Sequence, residues 1–177
     1  GVKFKTGVEV GKDVTIAQLK EQGFNGFYIA IGAQLSRNLG LENENNIDVV
    51  GGIDFLRQVN LGKGLELNGN VVVVGGGNVA MDVARTALRQ GASRVDLYCL
   101  ESREEMPAAK DELAEAEEEG IVIHNGFGPK SINVTDGKFA SITFKKCLRV
   151  KDEAGHFAPV YDEEQTETDE CTKVLKA

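Results

Sequence analysis

Residues 71–80 read Val-Val-Val-Val-Gly-Gly-Gly-Asn-Val-Ala. Four consecutive valines predict a strand buried on both faces, since a strand with one wet face would alternate. Gly75, Gly77 and Ala80 form a G-x-G-x-x-A turn, and residues 78–90 (NVAMDVARTALRQ) continue with a helical pattern. Strand, glycine turn and helix in that order are the context the dinucleotide-binding fingerprint requires. Gly75 permits the tight turn, and Gly77, lacking a Cβ, lets a pyrophosphate approach the backbone. The helix starting near Asn78 offers free N–H groups and the positive end of its dipole to the phosphates. Glu101 follows twenty-one residues after Ala80. It stands where the second strand ends, the usual place for a carboxylate that accepts from the adenosine ribose hydroxyls.

The surrounding chain is consistent with a domain of this kind. Its 177 residues are 41% hydrophobic and 27% charged, the balance of a globular protein. A net charge of −8 argues against a nucleic-acid partner, because a phosphate backbone needs a basic surface. No apolar run reaches the roughly 18 residues of a membrane span, and no signal peptide is visible. Cys99, Cys147 and Cys171 form no C-x-x-C pair, which argues against a metal or iron–sulfur site within the chain and suits a reducing cytoplasm. Cys99 is expected to be a small core residue. His124 and His156 are read as structural, with no Cys or Asp partner at catalytic spacing.

Outward from the fingerprint, residues 15–22 predict a short helix capped by Thr15 and stopped at Gly23. Residues 27–32 (FYIAIG) predict a buried strand, 33–46 a polar loop, and 52–60 an amphipathic helix. Residues 94–100 (RVDLYCL) predict the second strand and 101–108 a polar loop. A helix is expected over 109–119, closing at Gly120, with Glu117, Glu118 and Glu119 on a solvated face. Residues 121–124 (IVIH) predict the third strand. Residues 131–150 alternate apolar and polar around Asp136-Gly137, a two-residue hairpin signal. Residues 156–164 and the tail TKVLKA read as further extended pieces. The expected fold class is α/β. It is a Rossmann-like NAD(P)-binding domain with a parallel sheet, flanking helices and a β-meander.

Four stretches carry a family likeness: FYIAIGAQ (27–34), GGIDFLRQVN (51–60), VVVVGGGNVAMDVARTALRQGA (71–92) and SREEMPAAKDELAEAEEEG (102–120). They resemble the flavin- and pyridine-nucleotide-dependent oxidoreductases typified by the glutamate synthase small (beta) subunit and the flavin region of dihydropyrimidine dehydrogenase. The resemblance implies a parent protein in which one domain holds FAD and an inserted domain holds NAD(P)H. The chain is then expected to be an excised piece. Residues 1–68 would be a partial FAD-domain segment with a connecting helix, and 69–177 the NAD(P)H domain. Ala30, Ile31 and Gly32 would lie on the FAD side. The partners implied are the missing FAD-binding and iron–sulfur regions, in the parent or in a partner subunit, and tight FAD binding by this piece alone is not expected.

One departure bears on cofactor choice. NADPH-using members of the family commonly end the second strand in a Tyr-Arg-Arg-like sequence whose arginines pair with the 2′-phosphate. The matching residues here are Cys99, Leu100 and Glu101. A carboxylate about 4 Å from a phosphate charge costs on the order of 4 kcal/mol at an effective dielectric of 20. Cut to about a third by solvent and by Arg103, that still leaves roughly tenfold discrimination. NADH preference over NADPH is therefore expected, with Arg103 the residue that could oppose it.

Hydride transfer from nicotinamide to flavin needs no side-chain acid or base in its first step, so no catalytic residue is assigned. The cofactor-binding candidates are Gly75, Gly76, Gly77, Asn78 and Val79 for the pyrophosphate, Glu101 for the ribose and Arg103 beside the adenosine. Asp82 and Arg85 are expected to form an intrahelical or interdomain pair, and Met106 to serve as a packing anchor or a loop residue beside the nucleotide. The function expected is an NAD(P)H-binding domain that passes hydride to FAD and electrons on to iron–sulfur centres or a partner. The alternatives are a nucleotide-sensing module without its own redox activity and a self-sufficient dehydrogenase. The latter would need a Tyr-x-x-x-Lys or His/Asp pair that the chain does not display.

Overall fold

The structure, a computed structural model, describes residues 1–177. It divides into two compact units, Gly1–Ala33 and Gln34–Ala177.

In the first unit, α1 (Ile16–Glu21) starts as expected at Thr15. Gln18 N donates to Thr15 Oγ1 at 3.2 Å and Thr15 N donates to Gln18 Oε1 at 2.9 Å, a reciprocal capping box. Residues 27–32 correct the sequence expectation: they belong to no strand. Tyr28 is 94% exposed, and Ile29 and Ile31 are about three-quarters exposed. A buried strand needs a ladder on its edges and a layer over its faces, and an apolar run specifies neither.

The second unit runs β1 (Val49–Gly51), α2 (Gly52–Asn60), β2 (Asn70–Val74), α3 (Asn78–Arg89), β3 (Arg94–Cys99), α4 (Lys110–Glu118), β4 (Val122–Asn125), β5 (Phe127–Thr135), β6 (Lys138–Lys151), β7 (Phe157–Glu170) and β8 (Lys173–Lys176). Five strands form a parallel sheet in the order β1-β8-β2-β3-β4, and β5-β6-β7 form an antiparallel meander. The expected βαβαβ order followed by a meander is thus present. The β5–β6 turn is at Asp136-Gly137, with φ of 51° and 76°, the paired positive values of a type I′ turn. The unit boundary after Ala33 differs from the expected division at 68/69. Residues 49–60 supply a strand and a helix to the nucleotide-type sheet, because β8 slots between β1 and β2 and joins them into one layer.

The valine run is buried on both faces, as its composition predicts. Val71 and Val73 meet the helical layer with Met81, Val83 and Ala84 of α3, while Val72 and Val74 meet the meander's Ile142 and Phe144. Each fully buried valine contributes on the order of 1.5–3 kcal/mol. Ala80, Ala84 and Ala87 of α3 are at most 1% exposed, and their small side chains let the helix lie close on the sheet.

Charged side chains clamp α3 to α4. Arg85 reaches Glu112 at 3.2 Å, Glu115 at 2.6 Å and Glu119 at 2.7 Å, and Arg89 also meets Glu119. Arg85 thus pairs with the neighbouring helix rather than with Asp82. Glu117, Glu118 and Glu119 are exposed, as expected of a solvated face, and two of them make surface ion pairs: Glu119 meets Arg85 and Arg89, and Glu117 meets Arg103. Arg85 and Arg89 offset the unfavourable placement of acids at the negative end of α4.

Candidate dinucleotide-binding site

The site forms where the parallel strands end. β2 lies between β8 and β3, and the helical crossovers from β2 onward run to one side, so a crevice opens at the carboxyl ends of these strands. A cleft of about 410 Å³ lies there, lined by Gly75, Gly76, Glu101, Ala177 and, from the loop before β1, Arg37 and Asn38. Arg37 and Asn38 were not singled out from sequence. The polar stretch 33–46 carries no motif, and only the folded loop brings them to the glycine turn.

The three glycines are held for different reasons. Gly75 N donates to Tyr98 O at 2.9 Å, carrying the β2–β3 ladder into the turn. A Cβ on Gly75 would sit 2.7 Å from the carbonyl oxygen of Ala177, at a φ of +150°, so the backbone just after β8 excludes any side chain. A Cβ on Gly76 would meet Glu101 Oε2 at 2.8 Å and Cys99 Cβ at 3.0 Å. At Gly77 nothing lies within 4 Å. Gly77 is also the N-cap of α3, and no side chain caps that helix start. An open cradle at an uncapped helix N-terminus is what a pyrophosphate requires, so the residues present fit the group.

Asn78 has a role beyond the one expected from sequence. Its Oδ1 accepts from the backbone N–H of Ala109 at 2.7 Å, and Ala109 is the N-cap residue of α4. Ala108 N donates to Gly76 O at 3.2 Å. The loop after β3 is therefore stitched to the glycine turn. At its other end, Glu101 O accepts from Gly126 N and from Asn125 Nδ2, both at 3.1 Å, so the carboxylate of Glu101 springs from a fixed backbone. Met106 is buried among the helical core residues and acts as the packing anchor of this loop. Glu105 accepts from Ser102 Oγ at 2.9 Å. Arg103 does not lie free: its Nη2 donates to Glu117 Oε2 at 2.7 Å. Val79, in the first turn of α3, is 39% exposed. Ala30, Ile31 and Gly32 belong to the other compact unit.

The cysteines are buried and unpaired. Burial first, and Glu101 second, push the Cys99 thiol up to about 11, so it is a packed sulfur and not a nucleophile. Both histidines have an aspartate partner that sequence spacing did not reveal: His124 Nε2 lies 2.8 Å from Asp96 Oδ1, and His156 Nδ1 lies 3.3 Å from Asp152. His124 also stacks on Tyr98 at 4.2 Å, placing it between the sheet and the meander. Asp152 Oδ1 closes the β6–β7 turn by accepting from the backbone N–H groups of Ala154 and His156.

Parallel sheet, glycine turn and meander give the chain the architecture of a Rossmann-like dinucleotide fold with an antiparallel excursion. Residues 2–155 match the family described as pyridine nucleotide-disulphide oxidoreductase, and the chain belongs to that family. The chain is 40% identical over 167 residues to the NADP(+)-dependent formate dehydrogenase subunit beta of Moorella thermoacetica, covering 90% of this chain and 23% of that protein. It is 34% identical over 155 residues to the glutamate synthase [NADPH] small chain of Escherichia coli, covering 80% and 32% respectively. The resemblance to the glutamate synthase small subunit is thus borne out, although the chain spans a third or less of either relative's length. Among solved structures, FprA of Mycobacterium tuberculosis in complex with NADPH superposes with a TM-score of 0.78 at 18% identity, covering 96% of this chain and 53% of FprA, a likeness of fold. No helix is long and apolar enough to cross a membrane.

Proposed function

We propose that residues 34–177 bind a nicotinamide adenine dinucleotide at the carboxyl ends of the strands and serve a flavin-dependent oxidoreductase, with NADH preferred over NADPH. The pyrophosphate would lie on Gly75, Gly76, Gly77 and the first backbone amides of α3, at Asn78 and Val79. Glu101 would accept from the adenosine ribose hydroxyls, and Arg37 would balance phosphate charge from the far side of the cleft. The dinucleotide, when bound, supplies the hydride. The chain's own residues orient it and exclude water, which accords with a site that holds no acid–base constellation.

The observation that carries this reading is the Glu101 carboxylate beside Gly76, 2.8 Å from where a Cβ on that glycine would stand. A carboxylate there accepts from a 2′-hydroxyl and repels a 2′-phosphate. The relatives above are described with NADP or NADPH, so cofactor choice is a property in which this chain is proposed to differ. Calorimetric titration of the folded chain with NADH and NADPH tests it, with tighter NADH binding expected. Binding of neither overturns the reading. Glu101→Arg should move the ratio toward NADPH by tenfold or more, and an unchanged ratio removes Glu101 from the argument.

On the family resemblance, the intact protein would carry FAD beside Ala30, Ile31 and Gly32. Electrons would pass on to iron–sulfur centres or a partner subunit, in the cytoplasm. Flavin and iron content of the full-length protein tests that extension, and its absence would leave a nucleotide-binding module.

A further inference from the structure

The loop that follows β3 is fixed at both ends and holds one arginine between them. Glu101 is pinned through its carbonyl to β4, and Met106, Ala108 and Ala109 are pinned by packing and by the glycine turn. Arg103, two residues after Glu101, is the cation of this loop nearest in sequence to the proposed ribose carboxylate. One arm of its guanidinium donates to Glu117 at 2.7 Å, and the other nitrogen, Nη1, is buried with no hydrogen-bond partner. The same side chain lines a cleft of about 300 Å³ with Ser102 and Lys146, and another of about 430 Å³ with Met106 and Leu113. It stands between two open spaces that adjoin the loop outside the cleft lined by Gly75, Gly76 and Glu101, with its pairing to Glu117 holding it there.

The partner is set by the face of α4 that carries it. Glu112, Glu115 and Glu119 recur at helical spacing and meet Arg85 of α3. Glu117 sits between them in sequence, about 200° around the helix from Glu115. It therefore points to the other side, where the loop runs.

We propose that Glu117 is a specificity-positioning residue: by holding the Arg103 guanidinium on α4 it keeps that cation from the 2′-phosphate of NADPH and reinforces the preference set at Glu101. The inference rests on the dinucleotide reading above. Arginine is the side chain best shaped to grip a phosphate, so a free Arg103 beside the adenosine ribose would oppose Glu101. Paired with Glu117, its charge is balanced and its fork half occupied. The pair is only partly shielded, with side chains 39% and 48% exposed, so the tether biases the choice by a modest factor and does not lock it.

The test is a double-mutant cycle read as the ratio of NADPH to NADH affinity, with circular dichroism confirming that each variant is folded. Glu117→Gln should raise the ratio about two- to fivefold, the range a half-exposed pair supplies. In an Arg103→Met background the same substitution should leave the ratio unmoved, because the freed cation is gone. Lys146 and Arg149, in the same cleft, are present in both backgrounds and cancel. The rise should also shrink as salt increases from about 0.05 to 0.5 M. A ratio unchanged by Glu117→Gln, or a rise that persists without Arg103, overturns the role of Glu117 while leaving the dinucleotide reading intact. Binding of neither nucleotide to the unsubstituted chain overturns both.

Discussion

The side-chain oxygen of Asn78 accepts the backbone N–H of Ala109 at 2.7 Å, so the first residue of α3 satisfies the start of α4. Two helix N-termini and the loop between β3 and α4 are thereby tied to the glycine turn through one amide. Asn78→Ala should cost about 1 kcal/mol, the usual worth of a capping bond, in urea denaturation. It should also weaken dinucleotide binding by loosening the loop that carries Glu101. Asn78→Asp keeps the acceptor but adds a negative charge beside the phosphates, so it should retain stability and still lose affinity. Equal behaviour of the two variants in both assays would refute the tie.

Gly75 and Gly77 should separate folding from binding. Gly75→Ala places a Cβ 2.7 Å from the Ala177 carbonyl, a backbone atom that cannot swing aside, and should lower the melting temperature sharply. Gly77 has φ of −94° and open space, so Gly77→Ala should melt within a few degrees of the parent chain while losing tenfold or more in nucleotide affinity. Thermal melts paired with titrations check this, and retained affinity in Gly77→Ala would place the pyrophosphate elsewhere.

Glu44 anchors the loop that brings Arg37 and Asn38 to the cleft. It is 8% exposed, pairs with Lys176 at 2.7 Å, and accepts from the backbone N–H groups of Leu39, Gly40 and Leu41. Burial would raise its pKa, but the Lys176 ammonium and the three amides outweigh that and hold the carboxyl below the usual value. A depressed carboxyl contributes stability that is present above the unfolded pKa of about 4.3 and is lost as pH falls through the folded one. Denaturation midpoints from pH 7 to 3 should therefore fall less steeply in Glu44→Gln. Lys176→Met, which leaves a buried carboxylate unpaired, should cost about 3–5 kcal/mol at pH 7.

Asp169 has the opposite sign. Burial first, and the neighbouring Asp96 second, raise its pKa, with Tyr98, Arg94 and His124 opposing. An acid whose folded pKa is raised contributes stability below the unfolded value of about 3.9 that is lost as pH rises through the folded one. Asp169→Asn should retain its hydrogen bonds to Asn70 or Tyr98 in part and flatten this loss. A pH profile identical to that of the parent chain would show that Asp169 carries no such strain.

The features legible in the sequence are those with a local cause. Val71–Val74 had to be a strand covered on both faces, Gly75–Gly77 a turn, and Asp136-Gly137 a hairpin, because backbone sterics and side-chain periodicity act within a few residues. The Thr15–Gln18 capping box is of the same kind. Glu101 was legible for the same reason, from its spacing after the glycine turn at the end of the second strand. Residues 27–32 show the limit of such reasoning: their composition says apolar, but not what lies alongside.

The sequence alone determined the α/β class, the glycine turn and the place of Glu101. Tertiary structure decided the rest: β8 between β1 and β2, Arg85 across to α4, Asn78 to Ala109, Arg103 to Glu117, and Arg37 at the cleft. Each of these joins residues 14 to about 140 positions apart, and such contacts depend on how the layers pack, which no local pattern encodes.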